Sequence, residues 1–177
     1  MSFPKVVVLD LDGTIWSPEM YELWGGGGAP FTRVRHDVVA DRSGTKVRLF
    51  EGVWQCVGDS KTQGALLAVA SSTDEPDWAR ECLSKLGPTP VNGGSLPSTA
   101  MLASHLDIVE IYKGSKRKHL TQIKQTAGVE FHEMLFIDNE YGNIQTVSEL
   151  GVPSYHCPQG LTLRAWQEAL QLFRRRL

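Results

Sequence analysis

Two aspartates one residue apart, Asp10 and Asp12, stand directly after the apolar run Val6-Val7-Val8-Leu9. A carboxylate leaving a buried strand is costly to desolvate unless a counter-charge meets it, and a divalent cation is the usual remedy. The acids bracket Leu11, whose burial would tie the loop to the core and aim both carboxylates the same way. Gly13 allows a tight departure from the strand, and Thr14 supplies a hydroxyl to fix the loop. The stretch reads as a metal or phosphate site. The plainer reading, a strand ending in a hydrophilic turn, leaves an apolar residue between the acids without a purpose.

Three further groups occupy comparable places. Ser71-Ser72-Thr73 follow the apolar run Leu66-Leu67-Ala68-Val69-Ala70, although hydroxyls there serve equally as helix caps. Asp138 and Asn139 follow Met134-Leu135-Phe136-Ile137. Gly114-Ser115-Lys116 opens a helical pattern, and Lys116 is preferred to its neighbour Lys113 as the working cation because it begins the helix. The run Gly25-Gly26-Gly27-Gly28 is not a phosphate-cradling loop, since no Gly-Lys-Ser/Thr ending follows it. On composition it reads as a flexible linker.

These residues need a scaffold that brings strand ends together. Short unbroken apolar runs suit strands buried on both faces, and they recur at 6–9, 66–70, 107–112, 134–137 and 152–156. Helical patterns lie between and after them: 52–64, the segment from Pro76 to near Gly87, one beginning at Lys116, one carrying Ile144 and Val147, and 161–173. The alternation predicts a doubly wound (Rossmann-like) α/β fold, with a five-stranded parallel sheet covered by helices on both faces. In such a sheet all carboxyl ends share one edge, where Asp10, Ser71 and Asp138 can converge and Lys116 can reach them. Residues 38–49 read as a β-hairpin around Arg42-Ser43-Gly44-Thr45, too small to be a domain. Residues 88–104, rich in Pro, Gly, Ser and Thr, read as a surface excursion. Arg174 to Arg176 complement the negative end of the last helix.

The chain has 177 residues, 41% of them hydrophobic, and a formal net charge of −2. One domain spanning 1–177 is expected, without the basic excess that nucleic-acid binding requires. No run of about 18 apolar residues offers a membrane span. Strand-like sequence beginning at Lys5 leaves no room for a secretory signal. Cys56, Cys82 and Cys157 have neither disulfide nor metal-ligand spacing and read as packing thiols in a reducing compartment. A cytoplasmic or nuclear monomer is the expectation, with no nucleic-acid or membrane partner.

Asp10-Leu11-Asp12-Gly13-Thr14, strand-terminal Ser71, Lys116 and strand-terminal Asp138 together resemble the four motifs of haloacid dehalogenase superfamily phosphatases. The resemblance is closer still to the small magnesium-dependent phosphatase family, and it covers nearly the whole chain. It implies that Asp10 is the nucleophile forming an aspartyl-phosphate, and that Asp12 protonates the leaving oxygen and then activates water. It implies that Ser71 holds a phosphate oxygen and that Lys116 holds Asp10 and the phosphoryl group together. Mg²⁺ would be bound by Asp10, the backbone carbonyl of Asp12 and Asp138, with Asn139 acting through a water. Positioning and charge neutralisation are what phosphoryl transfer demands, and this set supplies both.

Two departures stand out. Asn139 replaces the family's usual second acid, removing one negative charge from the metal site. Ser72 stands where an arginine often contacts substrate. The superfamily's inserted cap domain is replaced by the 38–49 hairpin as a small flap, leaving a comparatively open site for a phosphorylated metabolite such as a sugar phosphate, or for a phosphoprotein, including phosphotyrosine. The reading from another class is a non-catalytic or receiver-like phospho-binding regulatory module on the same fold, which a lost acid at 139 favours and an acid–base Asp12 opposes. Dinucleotide binding fails because no glycine-rich turn follows the first strand.

Overall fold

The computed structural model describes residues 2–87 and 100–176. In chain order the first elements are β1 (Val6–Leu9), β2 (Trp16–Ser17), β3 (Thr32–Arg35), β4 (Val38–Ala40), β5 (Lys46–Leu49), α1 (Val53–Thr62), β6 (Leu66–Ser71) and α2 (Pro76–Lys85). They are followed by β7 (Ile108–Ile111), α3 (Lys116–Ala127), β8 (Met134–Asp138), α4 (Tyr141–Ser148), β9 (Ser154–His156) and α5 (Leu163–Arg175).

The main sheet has five parallel strands in the order β7-β6-β1-β8-β9. Strand β1 lies at its centre, where Val8 pairs with Ala68 on one side and Phe136 on the other. Its alternate residues feed two cores. Val7 and Leu9 pack with Cys56 of α1, Cys82 of α2 and Trp166 of α5. Val6 and Val8 face Leu120 and Ile123 of α3 and Val147 of α4. Burial on both sides is why β1 reads as a continuous apolar run rather than an alternating one. Because every strand points the same way, Asp10, Ser71 and Asp138 all emerge at one edge of the sheet. The three thiols are buried and free, as their scattered spacing predicts. Among the described residues no helix is long and apolar enough to cross a membrane.

The 38–49 hairpin forms from β4 and β5, but it is part of something larger. Strands β2 and β3 flank it in a separate four-stranded antiparallel sheet ordered β2-β5-β4-β3. Strand β2 follows the Asp10–Asp12 loop within four residues, so this second sheet grows directly out of the site. Its hairpin turn is organised by buried Asp41, which accepts from the Ser43 and Thr45 amides at 2.9 and 2.8 Å and from the Gly28 amide at 2.8 Å.

That last bond corrects the linker reading of the glycine run. Gly27 and Gly28 are buried, and the Arg42 side chain donates to the Gly27 carbonyl at 3.0 Å. Gly28 has φ +88° and packs on the Trp78 ring, which any Cβ would strike. Gly27 and Gly28 are needed for close approach and not for freedom. Of the 88–104 excursion, 88–99 lie outside the described residues, while Leu102–His105 forms a 3₁₀ turn tied to α2 by the Leu102 amide on the Leu86 carbonyl at 2.7 Å.

Candidate active site

Asp10 sits just past the end of β1, 7% exposed, on the wall of a cleft of about 360 Å³. Lys116, the first residue of α3, turns inward to place Nζ 2.6 Å from Asp10 Oδ1 and 3.4 Å from Asp138 Oδ2. It also donates to the Ala70 carbonyl at the end of β6. Burial alone would lower this lysine's pKa, but the adjacent Asp10 and Asp138 charges outweigh it and push the value up, so the ammonium stays charged. Lys113, the rival, is exposed at the cleft's rim and ion-paired with Asp74. The structure therefore brings Lys116, and not Lys113, to Asp10.

Asp12 is held by two donors, Trp16 Nε1 on Oδ1 at 2.8 Å and Thr73 Oγ1 on Oδ2 at 2.9 Å. Burial raises its pKa and the Asp10 charge adds to that, against the lowering effect of the Trp16, Thr73 and Met20 donors. The two acids of the motif thus sit in opposite environments: Asp10 faces a fixed ammonium, and Asp12 faces neutral donors in a partly desolvated pocket.

Asp138 is fully buried, behind the Lys116 and Asn143 side chains that line the cleft. Its Oδ1 accepts from the Glu140 amide at 2.7 Å, and its Oδ2 from Asn143 Nδ2 at 3.0 Å and from Lys116. Burial and the Asp10 charge push its pKa up to about 7, against the pull of Lys116. Asn139 instead lies directly against the Asp10 loop. Thr14 spends its single hydroxyl proton on Asp10 Oδ2 at 3.1 Å, so its lone pairs accept from the Asn139 backbone N–H at 3.0 Å and from the Asn139 side-chain carboxamide at 3.2 Å. With that carboxamide turned nitrogen-inward, Nδ2 is 3.0 Å from the Asp12 carbonyl and 3.3 Å from Asp10 Oδ2. Gly13, at φ +76°, is required here because a Cβ would collide with the Asn139 side chain.

Among the described residues no group of three or more His, Cys, Asp or Glu side chains is arranged to hold a metal. The oxygens gathered here are of another kind: the Asp10 carboxylate, the Asp12 carbonyl, the Thr14 hydroxyl and, once the amide turns, Asn139 Oδ1. They are hard donors, the type that Mg²⁺ takes while keeping several of its waters. In the protein alone the Asn139 amide N–H is what faces them.

On the cleft's other side, Ser71 is buried to 1% exposure and accepts from the Thr73 amide at 3.3 Å. Ser72 also lines the cleft, but its hydroxyl proton goes to the Gly114 carbonyl at 2.7 Å, so it knits the loops after β6 and β7 together. Of the residues that hold this constellation, Trp16 and Asn143 carry no site role in the sequence reading, and Thr73 appears there only as one of three hydroxyls that serve equally as helix caps. Trp16 stands four residues after Asp12, Thr73 two after Ser71, and Asn143 five after Asp138, and only the fold turns that proximity into contact.

The acid phosphatase family model matches residues 2–176. The chain is 31% identical to human magnesium-dependent phosphatase 1 over 172 residues, 96% of this chain and 87% of that one. It is 32% identical to a HAD-like hydrolase superfamily protein of Schizosaccharomyces pombe over 156 residues, covering 86% and 84%. Among solved structures, the N-terminal part of a Bacteroides fragilis protein, containing a phosphatase domain complexed with Mg, superposes with a TM-score of 0.62 at 19% identity. That superposition spans 97% of this chain and 40% of the longer one. With motif, fold and sequence in agreement over nearly its full length, the chain belongs to the acid phosphatase family of HAD-like hydrolases.

Proposed function

We propose that the protein is a magnesium-dependent phosphatase that hydrolyses phosphate monoesters through an aspartyl-phosphate on Asp10. The observation that carries this reading is the pairing of Asp10 with Lys116 at 2.6 Å beside an Asp12 held by the neutral donors Trp16 and Thr73. A phosphate dianion meets a carboxylate nucleophile only where positive charge offsets both, and the buried ammonium supplies part of it. Asp10 forms a bond to phosphorus as the bond to the ester oxygen breaks, and Asp12 hands its proton to that oxygen. Asp12 then takes a proton from the incoming water, whose oxygen binds phosphorus as the bond to Asp10 breaks. Ser71 is placed to donate to a phosphate oxygen, with Ser72 shaping the loop beside it.

Mg²⁺ would be held by Asp10 and the Asp12 carbonyl, with a third contact from the 138–139 pair. Asn139 stands against the first two, and Asp138 braces Lys116. When bound, the ion neutralises charge on the transferring phosphoryl group. The outer cleft is lined by Glu19, Tyr21, Asp74, Lys113 and Glu140, side chains that leave it accessible. An open mouth of this kind supports a phosphotyrosine side chain on a protein, or a sugar phosphate, as substrate. The same reading keeps the protein a cytoplasmic or nuclear monomer.

The test is Asp10→Asn. It is expected to abolish turnover of p-nitrophenyl phosphate while the melting temperature stays at or above that of the parent, and acid quenching of the parent is expected to trap a hydroxylamine-labile phosphoryl group. Full activity in Asp10→Asn contradicts the reading. Asn139 in place of an acid favours the receiver-like alternative, which predicts one phosphoryl group per chain and no multiple turnover.

A further inference from the structure

Trp16 is fully buried, yet its indole N–H is spent on a half-buried carboxyl group at the edge of the cleft. Satisfying a buried indole does not by itself explain this bond, because Trp54 buries its Nε1 with no partner among the described residues. The ring is packed in the core, and the Gly13 amide on the Trp16 carbonyl at 2.9 Å fixes the backbone that carries it. The other oxygen of Asp12 meets the Thr73 hydroxyl, which also accepts from the Glu75 amide at 3.3 Å.

Resting on the phosphatase reading above, we propose that Trp16 and Thr73 are positioning residues that assign different jobs to the two oxygens of Asp12. An indole N–H can only donate, so the oxygen it faces, Oδ1, is held as a bare acceptor. A hydroxyl donates or accepts by rotating, so Thr73 tolerates Oδ2 with or without a proton. Oδ2 is therefore the working oxygen. As the bond between phosphorus and the leaving oxygen breaks, its electron pair stays on that oxygen and the Oδ2 proton moves to it, leaving Asp12 a carboxylate. Thr73 then turns its own proton toward Oδ2, 2.9 Å away. In the second half-reaction Oδ2 recovers a proton from the attacking water, and Thr73 turns back to accept. Trp16 does no chemistry; it stops the carboxyl group from rotating and delivering its proton in the wrong direction.

Leaving groups discriminate this role from simple packing. Expulsion of p-nitrophenolate needs little help from an acid, whereas expulsion of an alkoxide needs it fully. The experiment compares p-nitrophenyl phosphate with butyl phosphate on the full chain with Mg²⁺. Asp12→Asn is expected to lose kcat/KM, which reports leaving-group expulsion and not the shared hydrolysis of the aspartyl-phosphate, far more on the alkyl ester than on the aryl ester. Trp16→Phe, which keeps the packed ring and deletes the N–H, is expected to lose kcat/KM on butyl phosphate at least about tenfold more than on p-nitrophenyl phosphate. Thr73→Val is expected to show the same selectivity and Thr73→Ser to restore the parent's behaviour, which keeps the idea testable if Trp16→Phe folds poorly. Equal losses on the two esters in Trp16→Phe and Thr73→Val, alongside a selective Asp12→Asn, overturn the positioning role alone. A non-selective Asp12→Asn overturns the acid assignment beneath it, and the positioning role falls with it.

Discussion

At the scale of single residues the site is a problem of buried charge. Asp10 and Asp138 flank one ammonium, and both carboxylates are almost wholly out of water. Removing the ammonium from such a cluster strands both carboxylates, a loss of roughly 3–5 kcal/mol where neither can neutralise itself. Here one can: Asp138, already pushed up to about 7, is able to take a proton. An acid whose folded value is raised binds its proton more tightly in the native state, so stability falls as pH rises from its ordinary 3.8 toward that value. Lys116→Met is therefore expected to abolish activity and, in EDTA, to show a stability loss by urea unfolding that is larger at pH 8 than at pH 5. A loss independent of pH contradicts the account. Asn139 offers the opposite experiment. Asn139→Asp supplies a carboxylate against Asp10 and the Asp12 carbonyl, and is expected to tighten Mg²⁺ binding by about tenfold in calorimetry. Unchanged affinity means residue 139 does not face the ion.

At the scale of elements, β1, β6 and β8 place the acids and Ser71, while α3 and the second sheet hold Lys116 and Trp16. The second sheet packs on the main body through Val39, Val47 and Leu49, and the chain entering β3 is also held by Glu81 of α2, whose Oε1 accepts from the Phe31 amide at 2.8 Å and from Lys85. Burial would raise this acid, but Lys85 and the Phe31 amide outweigh it and lower its pKa. A depressed folded value gives stability that is present above the ordinary 4.5 and lost as pH falls through the folded value. Glu81→Gln is thus expected to melt earlier than the parent at pH 7, with the gap closing as pH falls below the ordinary 4.5 and through the folded value; a gap that never closes points to packing instead. The main sheet was legible because strands buried on both faces write themselves as apolar runs. Strands β2 and β3 were not. Trp16–Ser17 is too short to show a period, and the Thr-Arg-Val-Arg of β3 is mostly exposed, so each exists by virtue of its partner strand. The glycine run misled for a related reason. Composition reports what a chain is free to do, and Asp41 and Trp78, distant in sequence, decide what it does. The site showed the same split. Asp10, Asp12, Ser71, Lys116 and Asp138 announce themselves by type and place, whereas Trp16 and Thr73 look like core and cap until the fold sets them on Asp12.

At the scale of the molecule, one sheet edge collects acids from two parallel strand ends, and the fold carries that concentration of charge as a standing cost. Lys116 offsets part of it, and the Asn139 amide stands in for more without carrying a charge. A ligand that binds only the folded chain stabilises it by RT ln(1 + [L]/Kd), about 2.7 kcal/mol at a hundredfold excess over Kd. For a domain of this size each kcal/mol moves the melting midpoint by roughly 2–4 °C, so saturating Mg²⁺ is expected to raise it by about 5–10 °C. Because the two cores share β1, the whole chain is expected to feel the ion as one transition. Asp10→Asn should melt higher than the parent without Mg²⁺, having shed a carboxylate from the cluster, and should gain less when Mg²⁺ is added. Asn139→Asp should do the reverse on both counts. A midpoint indifferent to Mg²⁺ in the parent sinks the metal assignment. A midpoint that rises equally in all three proteins moves the ion away from Asp10 and Asn139. The crossing of the two variants about the parent is what ties it to them.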